Sequence, residues 1–144
     1  MNRSPLPIDT ACLVCDMVCD FLIECGGSYK RVTPSLQEKI LVCLASRQFI
    51  IKVRDGQVKQ FACWFRINED DVDDVVNRIL PLDVFTGNIV YVSEIGNMEG
   101  KRGMCEIAQR MRKMNPDAKE VFWHRPVKGD KVFHFKVRGN GYGR

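Results

Sequence analysis

From Ala11 to Ile23 the chain is almost continuously apolar, broken at Asp16 and Asp20. Cys12, Cys15 and Cys19 stand at i, i+3 and i+7 within it, a spacing that predicts a helix. Asp9 or Thr10 can cap that helix, and Gly26 and Gly27 end it after Cys25. Thr33 followed by Pro34 reads as an N-cap with proline in the first helical position, and Leu36, Ile40, Leu41 and Leu44 give this second helix one apolar face. The period then changes from helical to alternating. Phe49, Ile51 and Val53 alternate with other residues, Asp55-Gly56 marks a type I′ turn, and Phe61, Cys63 and Phe65 alternate again, predicting a β-hairpin.

Asn68 with Glu69, Asp70 and Asp71 predicts the start of a third helix, since acidic residues in a first turn complement the helix dipole. Val72, Val75, Val76, Ile79 and Leu80 would be its buried stripe. After Pro81 comes a β-rich run over 88–95, a glycine-containing polar loop over 96–103 and an amphipathic helix over 104–114. The expected apolar face of that helix is Met104, Ile107, Ala108 and Met111, with Gln109, Arg110, Arg112 and Lys113 opposite, and Asn115-Pro116 stops it. Strands are expected over 119–125 and 131–138, joined by a turn at 127–130, with a glycine-rich tail from 139. There is no internal repeat and no domain boundary. The expectation is one α/β domain, with a helical part over 1–46 and a sheet core over 47–138.

Composition excludes more than it selects. At 144 residues the chain can bury a core without disulfides or metal, and 45% hydrophobic with 28% charged residues is the balance of a globular protein. Residues 11–23 are too few to span a membrane. They also lack the basic flank and cleavage site of a signal peptide, so a cytoplasmic protein is expected. The seven cysteines read as reduced packing residues. Cys12-x-x-Cys15 has no second ligand pair, and His124 and His134 lie far from it, so no metal site is expected.

The candidate chemistry lies in the second half. Strand, glycine-containing loop, helix and strand make a βαβ unit whose loop presents backbone N–H groups at a helix N-terminus, a natural anion site. Here the loop carries Asn97, Glu99, Gly100, Lys101, Arg102 and Gly103. Lys101 and Arg102 supply positive charge where a phosphate would sit. The loop is neither a Walker sequence nor a dinucleotide fingerprint.

Taken together, two helices, a hairpin, a third helix, a strand, a phosphate-type loop, a basic helix and two closing strands resemble the GNAT acyltransferases. The resemblance implies an α+β fold with a mixed, mostly antiparallel central sheet flanked by helices. It also implies a loop that cradles the pyrophosphate of an acyl-CoA. Of that family's loop pattern, Gly100 matches the first glycine and Gly103 falls one position late. A closer resemblance, from about Ile40 to Gly139, is to the toxin-activating lysine acyltransferases of the haemolysin-activating type. It is carried by Ala45-Ser46-Arg47-Gln48-Phe49, by Arg54-Asp55-Gly56 leading to Cys63-Trp64, by residues 111–117 and by residues 128–139. That likeness implies a fatty acyl group delivered by acyl carrier protein. The histidine and aspartate that carry catalysis in that family correspond to Ser28 and Ser93 here.

Acyl transfer in the general GNAT manner would place the thioester beside the strand from Tyr91 to Ile95, its carbonyl polarised by main-chain N–H groups. Glu94 and His124 are the candidate bases, with Tyr91 or Tyr142 returning a proton to the thiolate. Strand alternation puts Ser93 and Glu94 on opposite faces, so only one of them is expected to face the site. Two other functions compete. One is a non-catalytic protein that keeps the fold for binding or assembly with a partner or with itself, such as an accessory or virion component of a phage. The other is nucleic-acid binding through Lys101, Arg102, Arg110, Arg112, Lys113 and the edge holding Arg125, Lys128 and Lys131. Eighteen acidic residues against twenty-two basic ones argue against the latter.

Overall fold

A computed structural model describes residues 5–26, 29–77, 79–125 and 131–136, without the side chains of residue 76 and of 123 onward. The first helix, α1 (Ile8–Cys25), begins at Ile8 after Pro7, one residue before the predicted caps, with no side-chain cap. Gly26 closes it at φ 78°, a conformation that favours glycine. The second, α2 (Pro34–Ala45), starts as its sequence predicts, the Thr33 hydroxyl accepting from the N–H of Leu36 at 3.1 Å.

Strands β1 (Phe49–Arg54) and β2 (Gln57–Ile67) form the hairpin, with positive φ at both Asp55 and Gly56, as a type I′ turn requires. The predicted third helix is short. Residues Glu69–Asp71 form a 3-10 turn and α3 covers only Val72–Val76, so Ile79 and Leu80 are exposed rather than buried in its stripe. Next come β3 (Ile89–Asn97), α4 (Gly100–Met114), β4 (Glu120–Arg125) and β5 (Lys131–Lys136). The predicted 96–103 loop is therefore mostly regular structure. Its first residues extend β3 and its last four form the opening turn of α4.

Among the described residues the sheet is five-stranded in sequence order, antiparallel throughout except for the parallel pair β3 and β4. This is the mixed, mostly antiparallel sheet expected. A parallel pair needs a crossover, and α4 supplies it. Both faces are covered. On one side α1 and α2 pack over Phe61, Cys63, Phe65, Ile89 and Phe122; on the other α4 packs over Ile50, Ala62, Trp64, Val90 and Val92. This explains why Phe61 to Phe65 of β2 are all apolar, with alternate residues entering opposite cores.

On α4 the residues turned inward are Gly103, Ile107 and Met111, whereas Met104 and Ala108, expected inside, are exposed. Four cysteines (Cys15, Cys19, Cys43 and Cys63) are buried as packing residues, but Cys12 and Cys105 are exposed. Arg66 on β2 braces the far end of α4. Its guanidinium donates to the Gly87 carbonyl, to Asn115 Oδ1 and to both Asp117 oxygens at 2.8–3.3 Å. Among the described residues no helix is long and apolar enough to cross a membrane.

Candidate functional site

Strand β3 contains the site's defining irregularity. Cys63 pairs with Glu94 and the next residue, Trp64, pairs with Val92, so Ser93 is one residue too many. Such a bulge shifts the strand's alternation by one. Before it, Val90 and Val92 face α4; beyond it, Ile95 does, while Glu94 and Gly96 turn toward α1. Gly96 is needed there because a Cβ would lie 2.8 Å from Phe21 and Leu22 and 3.1 Å from Cys25 Sγ. Pairing between β3 and β4 ends at Val92 and Trp123. From the bulge onward β3 is free of β4 among the described residues, and a wedge opens between two parallel strands.

The bulge corrects the expectation that Ser93 and Glu94 point apart. Ser93 Oγ donates to Glu94 Oε2 at 2.8 Å. Tyr29, from the loop between α1 and α2, donates its hydroxyl hydrogen to Glu94 Oε1 at 3.0 Å, and its oxygen accepts the main-chain N–H of Ile95 at 3.2 Å. Lys39 of α2 brings its ammonium within 3.8 Å of Glu94 Oε2. A carboxylate 6% exposed in an apolar sheet is thus held by two hydroxyls and a cation. Desolvation dominates its ionisation and raises the pKa, while Lys39, Ser93 and Tyr29 pull it back. Burial, then the Glu94 charge, raises the Tyr29 hydroxyl well beyond the ordinary tyrosine range, so Tyr29 is a proton donor and not a base. Cys63, buried beneath Glu94, is likewise raised by burial and stays a thiol.

At the far end of β3 the loop is held from within. Asn97 accepts from the N–H of Glu99 and donates to the Gly100 carbonyl at 3.0 and 2.8 Å, so its amide serves the turn itself. Gln60 donates to the Gly103 carbonyl at 3.0 Å and to Glu106 at 3.1 Å. A Cβ on Gly103 would fall 2.2 Å from Asn97 Oδ1 and 2.8 Å from Gln60 Nε2, so a side chain there would displace both amides from their hydrogen bonds. Gly100 has φ 72° with open space beside it, so backbone conformation rather than crowding favours glycine there. Glu99 lies 2.9 Å from Lys52 and 2.7 Å from Arg54, and the Lys52 hydrogen bond in particular holds its carboxyl below the usual range. Lys101 and Arg102 are exposed in the first turn of α4, where the N–H groups have no helical acceptor.

The structure therefore joins Ser93 and Glu94, with Asn97 at the end of the same strand and Glu99 to Gly103 at the start of α4. Tyr91 lies on the α1 side, its ring tilted on Phe122 at 5.0 Å between centroids. The backbone of His124 pairs with Val132 of β5, beyond the last β3 pairing. Ser28 and Tyr142 lie outside the described residues, as does the whole turn over 127–130. Tyr29 and Lys39 were not among the sequence candidates. The available signal was Glu94 itself, a carboxylate in an otherwise apolar strand that burial would force to find partners. Among the described residues no group of three or more His, Cys, Asp or Glu side chains is placed to hold a metal ion.

No family model matches the chain, and no curated protein matches it significantly. Solved structures do. A GNAT-like decarboxylase, GphF, in complex with isobutyryl-CoA superposes with a TM-score of 0.55 at 12% identity, over 78% of this chain and 62% of that one. The likeness thus spans about three fifths of the decarboxylase chain. An N-acetyltransferase from Staphylococcus aureus Mu50 follows at a TM-score of 0.43, with 8% identity over 86% and 80% of the two chains. An acetyltransferase follows at 0.36, with 12% identity over 85% and 78%. The fold is GNAT-like, as the superposition on the decarboxylase establishes.

Proposed function

We propose that the protein transfers an acyl group from a thioester, acyl-CoA or acyl carrier protein, to an amine at the wedge beside the bulge. One observation carries this reading: the bulge at Ser93 turns Glu94 into a buried cluster with Tyr29 where β3 and β4 part. The neutral amine attacks the thioester carbonyl carbon, the C–N bond forms and Glu94 takes the amine proton. As the C–S bond breaks, the Tyr29 hydroxyl gives its proton to the leaving thiolate and recovers one from Glu94 along their 3.0 Å hydrogen bond. The net result is one amide and one thiol. The N–H groups at the start of α4, with Lys101 and Arg102, suit the donor's phosphates, and a fatty chain on carrier protein follows from the likeness to the toxin-activating enzymes.

The test is thiol release from acetyl-CoA, palmitoyl-CoA and acyl carrier protein, with Glu94→Gln as the control. Replacing a general base costs about 10²–10⁴-fold in rate, so Glu94→Gln should fall by at least that lower factor while staying folded. Equal release by both proteins removes Glu94 from the reaction. The absence of release and of any thermal shift with all three donors removes acyl transfer altogether.

One observation favours a second reading, a GNAT-like frame kept for binding or assembly. Glu99 already places an anion between Lys52 and Arg54 beside the α4 N-terminus, and a phosphate arriving there meets that carboxylate. A protein of this kind would ignore all three donors and leave their melting curves superimposed.

A further inference from the structure

A groove of about 190 Å³ separates the C-terminal half of α1 from the β1–β2 turn. Its walls combine two kinds of surface. Met17, Phe21 and Met98 are apolar, and both methionines are exposed; Asp20 and Glu24 stand one helical turn apart and bring carboxylates to the same side. Lys59 is the cation among the lining residues. Its ammonium is bonded to Gln57 Oε1 at 3.3 Å, and among the described residues neither Asp20 nor Glu24 forms an ion pair with it or with any other cation.

The charge around the groove is segregated. Asp9, Asp16, Asp20 and Glu24 all lie on α1, which contains no lysine or arginine, in a chain of net charge +4. Moreover, Glu24 occupies the last turn of α1, where the helix dipole disfavours an anion and the turn itself contains no basic residue. The local fold is therefore less stable than it would be with neutral or basic residues at these positions, and a cation from outside relieves the conflict.

We propose that this groove docks a basic segment of a protein, with the aliphatic stem of one lysine or arginine along Met17, Phe21 and Met98 and its charge between Asp20 and Glu24. Such stems cover apolar surface while their heads stay with polar partners. The groove borders the acid–base cluster, because Phe21 packs on Gly96, two residues beyond Glu94 on the same face. The inference does not rest on the acyl-transfer reading, since docking is measured without any donor.

The test is fluorescence anisotropy with a labelled octapeptide of alternating lysine and leucine, its glutamate counterpart, and free 1,5-diaminopentane as competitor. The lysine peptide should bind and weaken with added salt, while the glutamate peptide should not bind. The double variant Asp20→Lys/Glu24→Lys should weaken binding at least tenfold while melting at a higher temperature, because it restores the dipole. Asp20→Asn/Glu24→Gln provides a near-isosteric version that should also bind at least severalfold more weakly. Lys113→Glu, on the opposite face of the sheet, should leave binding unchanged. Undiminished binding by the acid-site variants, equal binding of the glutamate peptide, or full displacement by the diamine at the peptide's own concentration overturns the proposal. Thermal shifts with acyl-CoA on the same samples separate the two ideas. Peptide binding without a donor shift keeps the dock and drops acyl transfer; a donor shift without peptide binding overturns the dock alone.

Discussion

Tyr29→Phe is a one-atom deletion whose cost can be worked from the structure. The phenol makes two hydrogen bonds, donating to Glu94 at 3.0 Å and accepting from Ile95 N–H at 3.2 Å. At pH 8 the first is charge-assisted and worth about 1.5–3 kcal/mol, and the second about 1 kcal/mol. The variant should therefore lose about 2.5–4 kcal/mol, less whatever entering water restores. For a chain of this size that is a fall of roughly 7–12 °C in Tm. The cost should depend on pH with a definite sign. Burial raises the Glu94 pKa above its ordinary value of 4.5, so the strain of keeping it ionised is absent at low pH and appears as pH rises through the folded value. At pH 4.5 a pKa above the ordinary value leaves the carboxyl more than half protonated, the Tyr29 bond is neutral in that fraction, and the cost of the variant should shrink toward about 2 kcal/mol. Urea titrations of both proteins at pH 8 and pH 4.5 measure this directly. A cost below about 0.5 kcal/mol at pH 8, or the same cost at both pH values, would refute a buried, ionised Glu94 held by Tyr29.

Other expectations follow from the same contacts. Gly103→Ala places a methyl group 2.2 Å from Asn97 Oδ1, so it should cost about 1–3 kcal/mol in urea unfolding and disorder the loop; unchanged stability would show that the loop yields cheaply. The Asp117 carboxyl is held below its ordinary 3.8 chiefly by its hydrogen bond to Arg66. Its contribution is present above that value and lost as pH falls through the folded one. Because Asp117 is exposed, Asp117→Asn should cost under about 1 kcal/mol at neutral pH and lose less stability than the parent between pH 4 and 2; parallel acid melting curves would contradict this.

The same residues mark what each level of description determines. The element order, the Thr33-Pro34 helix start, the Asp55-Gly56 turn and the end of α4 at Asn115 were legible in the sequence, because each depends on local period, capping or a permitted φ. The residues behind the family likeness proved partly architectural: Gln48 donates to the Trp64 and Val84 carbonyls, and Asn115 and Asp117 receive Arg66. Where reading by period failed, the folded chain ends or turns an element differently from its apolar spacing. Ile79 and Leu80 fit a helical stripe, but the helix stops at Val76 and leaves them exposed. Met104 fits the face of α4, yet the helix begins four residues earlier and turns Gly103 inward instead.

The site itself was decided only by the folded chain. A bulge is a mismatch of count between two strands, so neither strand records it alone; here it reverses the side on which Glu94 emerges. Tyr29 meets Glu94 across 65 positions of sequence, and Glu99 closes on Lys52 and Arg54 through an ion pair between separate elements. Local sequence sets where helices and strands begin, because those preferences act over a few residues. Which polar groups meet inside the sheet depends on register and packing, which come into being only when the whole chain is assembled.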